Sequence, residues 1–199
     1  SPRRAGESLA AAIRGAGAKV VEGAGPQHPD AHRDDVPVIW ATGAQGLAAL
    51  GADLGRLAGS GVKGQSALLE YAAPDAPQVF ADGLHVVPHA DGTVAVGSTA
   101  ERDFTDGHST DDQLEALIGR ACAMCPALEG AAVVDRWAGI RPRAVSRAPL
   151  LGPWPGRPGH FVANGGFKIG FGMAPAVAGI MADLILTGED RIPPGFKVG

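Results

Sequence analysis

The order of apolar runs and turn residues predicts a mixed fold, α/β plus α+β, in which an α/β layer is joined to an antiparallel α+β layer. Two apolar runs, VPVIWATGA (Val36 to Ala44) and HFVANGG (His160 to Gly166), each end in a glycine turn and lead into a helical stretch. Between them lies a series of short strand-like runs broken by Asp82-Gly83 and Asp91-Gly92, the dipeptides that favour tight hairpin turns. A block of strands between two βα units argues for two layers, with the chain leaving one and returning to it.

Taken in order, Ser1 followed by Pro2 opens a helix, because Ser caps the free N–H groups and Pro suits the first helical position. Leu9, Ala12, Ile13 and Ala16 fall on one helical face, and Gly15 and Gly17 stop the helix. AKVVE (Ala18 to Glu22) is read as a short strand, and Gly23 to Asp35 as an exposed polar loop. The unbroken apolar character of Val36 to Ala44 suits a strand buried on both faces, as in a parallel sheet. A helix is expected from Gly46 to about Leu57. VKGQSALLEYA, PQVFA, LHVVPH and TVAVGST follow as strands of an antiparallel meander. TDDQLEALIGRACAMCP is a helix with Thr110 as its cap and Gln113 in the capping-box position; Leu114, Leu117, Ile118 and Ala121 form its apolar face. AAVVDRWAGIRP and HFVANGG are strands, and MAPAVAGIMADLIL is a closing apolar helix.

Composition excludes several classes. A net charge of −4 over 199 residues gives no reason to expect nucleic acid or an anionic membrane as partner. No apolar stretch is expected to span a bilayer, since the longest, Met173 to Leu186, contains Asp183. The start at Ser1-Pro2 with Arg3-Arg4 is unlike a signal peptide and reads as an internal start. Cys122 and Cys125 form a lone C-x-x-C without a second pair, read as small buried hydrophobes, and two cysteines fit a reducing, cytoplasmic compartment. His28 and His32 lie four apart in a loop without a third ligand, so no metal is expected. His85 and His89 share one side of a strand. No G-x-S-x-G elbow is present and no catalytic base or nucleophile stands out.

Arg141 and the glycine turn after Asn164 carry chemistry. Arg141 ends a strand and precedes Pro142, which holds it in extended or turn backbone. A guanidinium so fixed can grip a carboxylate with two parallel hydrogen bonds, or pair internally with an acid such as Asp135. Gly165, Gly166, Gly170 and Gly172 lead into a helix. Such glycines let backbone approach a ligand, and a helix start offers free N–H groups and partial positive charge. The same pattern also serves a plain helix entry.

WAGIRPRAVSRAPLLGP (Trp137 to Pro153), followed by HFVANGGFKIGFGMAPAVAGIMADLILTG (His160 to Gly188), resembles the end of a flavin-dependent oxidoreductase of the D-amino-acid oxidase / glycine oxidase family. SPRRAGESLAAAIRGAGAKV, VIWATGA, GVKGQSALL and LHVVPHADGTVAVGSTAE resemble earlier family segments in the same order. The Gly-rich dinucleotide fingerprint that opens such proteins is not found in the chain, so the resemblance implies a C-terminal piece whose partner is a missing N-terminal FAD-binding segment.

The resemblance further implies FAD as cofactor and a small amine or amino acid as substrate. It implies that residues 1–58 and 146–199 are part of an FAD-binding domain with a partial Rossmann-like layer, and that residues 59–145 form an antiparallel-sheet substrate-binding domain. By family position Arg141 holds the substrate carboxylate, and Lys168 and His89, standing where the family often has arginine, lie beside substrate; Lys63 also replaces a frequent arginine. Thr42, Gly43, Ala44, Gly64, Gln65, Gly166, Phe167, Lys168, Ile169, Gly170, Phe171 and Gly172 would approach the cofactor. The implied reaction is oxidation of the amine by hydride transfer to flavin N5. Two other readings are a non-catalytic substrate-domain module or degenerate paralogue in a larger complex, and a flavoenzyme acting on tRNA, which the acidic charge disfavours.

Overall fold

The computed structural model describes residues 1–25 and 35–199. Most of the expected Gly23–Asp35 loop, with His28 and His32, lies outside the described residues. The chain divides into two compact units, Ser1–Gly59 with Ala144–Gly199, and Ser60–Arg143.

The first unit is built from helix α1 (Pro2–Gly15), strand β1 (Val38–Trp40), helix α2 (Gly43–Leu54), strands β7 (Leu150–Pro153) and β8 (His160–Asn164), and helix α4 (Gly170–Thr187). Its sheet has the order β1-β8-β7. Strands β1 and β8 run parallel, with Trp40 opposite Val162, and β7 joins antiparallel on the other side. Trp40, Leu50, Ala58, Trp154 and Val162 fill one core; Leu151, Met181 and Ile192 anchor another, with Val177, Ile180 and Leu184 of α4 against them.

Four expectations change here. Ala18 to Glu22 is not a strand; its two residues of strand propensity, Val20 and Val21, find no neighbouring strand to pair with in this sheet. The Val36–Ala44 strand shrinks to Val38–Trp40, and Ile39 is 51% exposed, so only one face is covered in this unit. Helix α1 starts at Pro2 as expected but buries none of its residues in this unit, and Ser1 makes no capping side-chain bond. Helix α4, extended past the expected Met173 start to Gly170, reaches 18 residues with mean hydropathy 1.5, long and apolar enough by composition to cross a membrane. It packs against Leu151 of β7 and against Ile192 in the segment that follows the helix.

The second unit is a five-stranded sheet of β2 (Gly59–Glu70), β3 (Val79–Ala81), β4 (Leu84–Pro88), β5 (Thr93–Gly97) and β6 (Val133–Ala144), with one helix, α3 (Asp112–Met124). Sheet order is β3-β4-β5-β2-β6. The meander is therefore β3 to β5, while long β2 closes on the far side of β5 and carries β6 at its other edge. Alternate residues of β2, β4 and β5 point at α3, so Ala67, Leu69, Leu84, Val86, Val94 and Val96 meet Leu114, Leu117 and Ala121 in one core. The cap of α3 is Asp111, not Thr110: its carboxylate accepts the N–H of Gln113. Cys122 and Cys125 are free thiols, partly buried against this core, as small apolar residues would be.

Candidate functional site

In the first unit the parallel pairing of β1 and β8 places the turns at their carboxyl ends side by side, which is where ligands bind in α/β sheets. Asn164 ties the two turns together. Its side-chain amide donates to the Gly43 carbonyl at 2.9 Å, and its carbonyl accepts the Gly165 N–H at 2.8 Å. This approach needs Gly46, because a Cβ there would stand 2.8 Å from the Asn164 amide nitrogen and collide with the Thr42 hydroxyl. Thr42, Gly43 and Ala44 are thus brought next to the Gly165–Gly172 segment. The staple was missed in the sequence; the ANGG tetrapeptide was its only trace.

The turn after β8 is tight. Gly165 has φ +77 and Phe167 φ +43, the latter a left-handed conformation that a bulky side chain adopts at a cost of about 1–2 kcal/mol. A Cβ on Gly166 would stand 2.7 Å from the Gly170 Cα. Lys168 is exposed at the turn, its Nζ 5.8 Å from the Phe167 ring centre. The first-turn N–H groups of α4, from Gly170 to Gly172, have no carbonyl within the helix. Open space lies where side chains would stand at Gly43, Gly170 and Gly172. Two adjacent turns with bare backbone and a positive helix end fit the approach of a flat, electron-accepting ring such as flavin.

In the second unit Arg141 is the centre. From edge strand β6 its side chain crosses neighbouring β2 over Gly64; the guanidinium occupies the very space a Cβ on Gly64 would need. Beyond β2 it reaches the segment after β5. Nη1 donates to the carbonyls of Thr99 at 3.3 Å and Lys63 at 3.4 Å, and Nη2 donates to the Thr99 carbonyl at 3.2 Å and to the Ser98 hydroxyl. These acceptors are neutral. Among the described residues no carboxylate lies within ion-pair distance of Arg141, so the pairing with Asp135 that the sequence left open is not made. Burial pulls the guanidinium pKa down, and the nearby charge of Glu101 opposes that pull. The group lines a cavity of about 420 Å³ with Gly64, Ser66, Ser98, Trp137, Gly139 and Ile140.

The opposite face of β2 carries a buried polar cluster. Lys63 and Gln65 are 3% and 0% exposed. Lys63 Nζ lies 3.4 Å from Glu101 and 3.5 Å from Asp111. The Gln65 amide donates to Glu101 at 3.0 Å and Asp111 at 2.8 Å, and its carbonyl accepts the Asp111 N–H at 2.8 Å. Gln65 therefore spends its side chain inside the protein, and Gly64 is covered by Arg141. Burial, the largest single influence on Glu101, raises its pKa. The Thr99 and Gln65 hydrogen bonds and the Lys63 charge together outweigh it, leaving Glu101 below its ordinary value. Asp111 is also lowered, first by the Gln65 hydrogen bond and then by the Gln113 N–H.

His89 is not brought to Arg141. It sits at the turn between β4 and β5, where its ring meets the Thr93 hydroxyl at 3.3 Å. The five residues of β5 separate that turn from Ser98, about 16 Å of extended chain. Lys168 belongs to the other unit.

Residues 1–184 match the family model described as FAD dependent oxidoreductase. Over 134 residues the chain is 40% identical to glycine oxidase of Pseudomonas putida, a match covering 67% of this chain and 37% of that enzyme. The chain thus spans well under half the length of this relative. Among solved structures, glycine oxidase from Geobacillus kaustophilus superposes with a TM-score of 0.72 at 31% identity, over 82% of this chain and 45% of the other. Iminodiacetate oxidase from Chelativorans sp. BNC1 gives a TM-score of 0.72 at 25% identity, over 81% of this chain and 45% of that one.

Proposed function

Since the chain belongs to the FAD-dependent oxidoreductase family, we propose that it forms the substrate side and part of the flavin side of an enzyme oxidising a small amine or amino acid that bears a carboxylate. The observation that carries this reading is Arg141, a half-buried guanidinium held by neutral acceptors and facing a cavity. A cation that is partly desolvated and lacks an internal carboxylate is prepared to bind an external one. Two glycines in the cavity wall, Gly64 and Gly139, and the limited volume favour a small substrate. The names of the relatives, glycine oxidase and iminodiacetate oxidase, point the same way.

In this reading residues 60–143 are the substrate-binding unit, and the other unit is the partial Rossmann-like layer that meets FAD through Thr42, Gly43, Ala44 and the segment Gly166 to Gly172. When bound, the flavin supplies the acceptor for a hydride from the substrate α-carbon, at N5. The chain's own task is placement. Arg141 fixes the carboxylate, which leaves the substrate two atoms from its anchor with little freedom at the α-carbon. The first-turn N–H groups of α4 and the Lys168 charge favour a reduced, negatively charged ring. No side-chain base is required if the amine binds neutral.

The first test is the visible spectrum of the intact protein, purified without added flavin. Bound flavin that bleaches anaerobically with a small amino acid such as glycine or sarcosine is the expected result, and an Arg141→Leu variant should keep the colour and lose the bleaching at low substrate. A colourless protein that does not take up FAD would overturn the reading.

A further inference from the structure

Resting on the assignment of Arg141 as the carboxylate anchor, we propose that Thr99 and Glu101 are a positioning pair that sets the guanidinium from the opposite face of the sheet. Ser66 of β2 faces Gly97, the last residue of β5, but Lys63 faces Glu101. Residues 98–100 therefore oppose only residues 64–65, a one-residue bulge of the kind that turns a backbone group out of its ladder.

Thr99 lies at the centre of the bulge and uses each of its polar groups. Its N–H donates to the Gln65 carbonyl at 3.2 Å, and its hydroxyl accepts the Gln65 N–H at 2.8 Å and donates to the Glu101 carboxylate. Its carbonyl is released from the ladder and receives both terminal nitrogens of Arg141. A rotation of the Thr99 peptide would thus move the acceptor that aims the guanidinium. Glu101 prevents that rotation, because it is itself held by Gln65 and Lys63 in a buried setting.

Lys63, Glu101 and Asp111 together carry one net negative charge. That charge sits near Arg141 without touching it, so it steadies the cation while leaving it without a carboxylate partner of its own. A direct ion pair would steady Arg141 equally well and block the ligand.

The test uses the intact protein and two probes, acetate and its neutral analogue acetamide, with dissociation constants from titration calorimetry. Wild type should prefer acetate, and Arg141→Leu should abolish the preference. Thr99→Val removes the hydroxyl at nearly constant shape. It should weaken acetate about tenfold, the size of one misplaced charge-assisted hydrogen bond, and leave acetamide unchanged. Thr99→Ser should restore acetate binding. If Thr99→Val does not fold, Thr99→Ala, which also lacks the hydroxyl that meets Glu101, decides by the same acetate-selective loss. Unchanged acetate affinity, or an equal loss for both probes, in a folded variant overturns the positioning role while Arg141 stands. Acetate preference surviving in Arg141→Leu overturns the anchor and the pair with it.

Discussion

A missing side chain determines where the central cation lies. Gly64 has no unusual backbone angle, so its glycine is explained by space: the Arg141 guanidinium fills the volume of a Cβ. Gly64→Ala should therefore expel Arg141 from its acceptors and remove acetate preference. The sheet itself should tolerate the change, because Ala is no worse than Gly in strand backbone. Calorimetry with acetate and a melting curve, run together, check both halves; an unaltered acetate affinity would show that the guanidinium does not need this route. Arg141→Lys should fare little better than Arg141→Leu, since an ammonium has three donors at one point and cannot reach the Thr99 and Lys63 carbonyls and the Ser98 hydroxyl together as the planar guanidinium does. Arg141 stood out in the sequence as an arginine before Pro142, expected at a strand end; β6 instead runs on to Ala144 and holds it within the strand. The acceptors of Arg141 did not stand out, because Thr99 lies 42 residues earlier, in an irregular bulge that no periodicity announces. Glu101 was hidden for the same reason, and Gln65, expected near the cofactor, instead spends its side chain on Glu101 and Asp111; a glutamine reads like any polar residue until its partners are placed around it.

Helix α3 was legible in type and apolar face, yet its cap was misplaced by one residue, and the difference matters. Thr110 and Asp111 are both acceptable caps by residue type; Asp111 takes the position because its carboxylate also meets Gln65 and Lys63 beneath β2. Asp111 therefore joins the helix start to the sheet. Asp111→Asn keeps a cap and a partner for Gln65 but removes the charge opposite Lys63, whereas Asp111→Ala removes all three. The melting temperature should fall by a few degrees for Asn and by roughly twice that for Ala. Equal shifts would mean that the ion pair, not the cap, is what Asp111 contributes. Strand β7, LLGP, escaped notice because four residues with Gly and Pro look like a turn; it becomes a strand by pairing with β8, with Leu151 opposite Ala163. The opposite error at Ala18 to Glu22 has the same origin. Strand propensity decides little in segments this short, and the presence or absence of a partner decides the rest.

Acid should not weaken the two units equally. Among the described residues, the carboxyls held below their ordinary values are Glu101, Asp106 and Asp111 in residues 60–143, and Asp190 in the other unit. Asp106 is lowered chiefly by the His108 N–H, and Asp190 chiefly by its hydrogen bond from Lys197. A carboxyl whose folded pKa is depressed contributes stability that is complete above its unfolded pKa and disappears as pH falls through the folded value. The loss should therefore begin below about pH 4 and be steeper in the unit with three such groups than in the unit with one. Protonation of Glu101 and Asp111 has a second cost there, because buried Lys63 then loses both of its carboxylate partners. Hydrogen exchange followed by mass spectrometry at pH 6, 4 and 3, corrected for intrinsic exchange, separates the units by their peptides. Peptides from β2 and α3 should lose protection first, ahead of those from β8 and α4. Simultaneous loss in both units would show that the buried cluster does not set acid stability, and that the two units unfold as one.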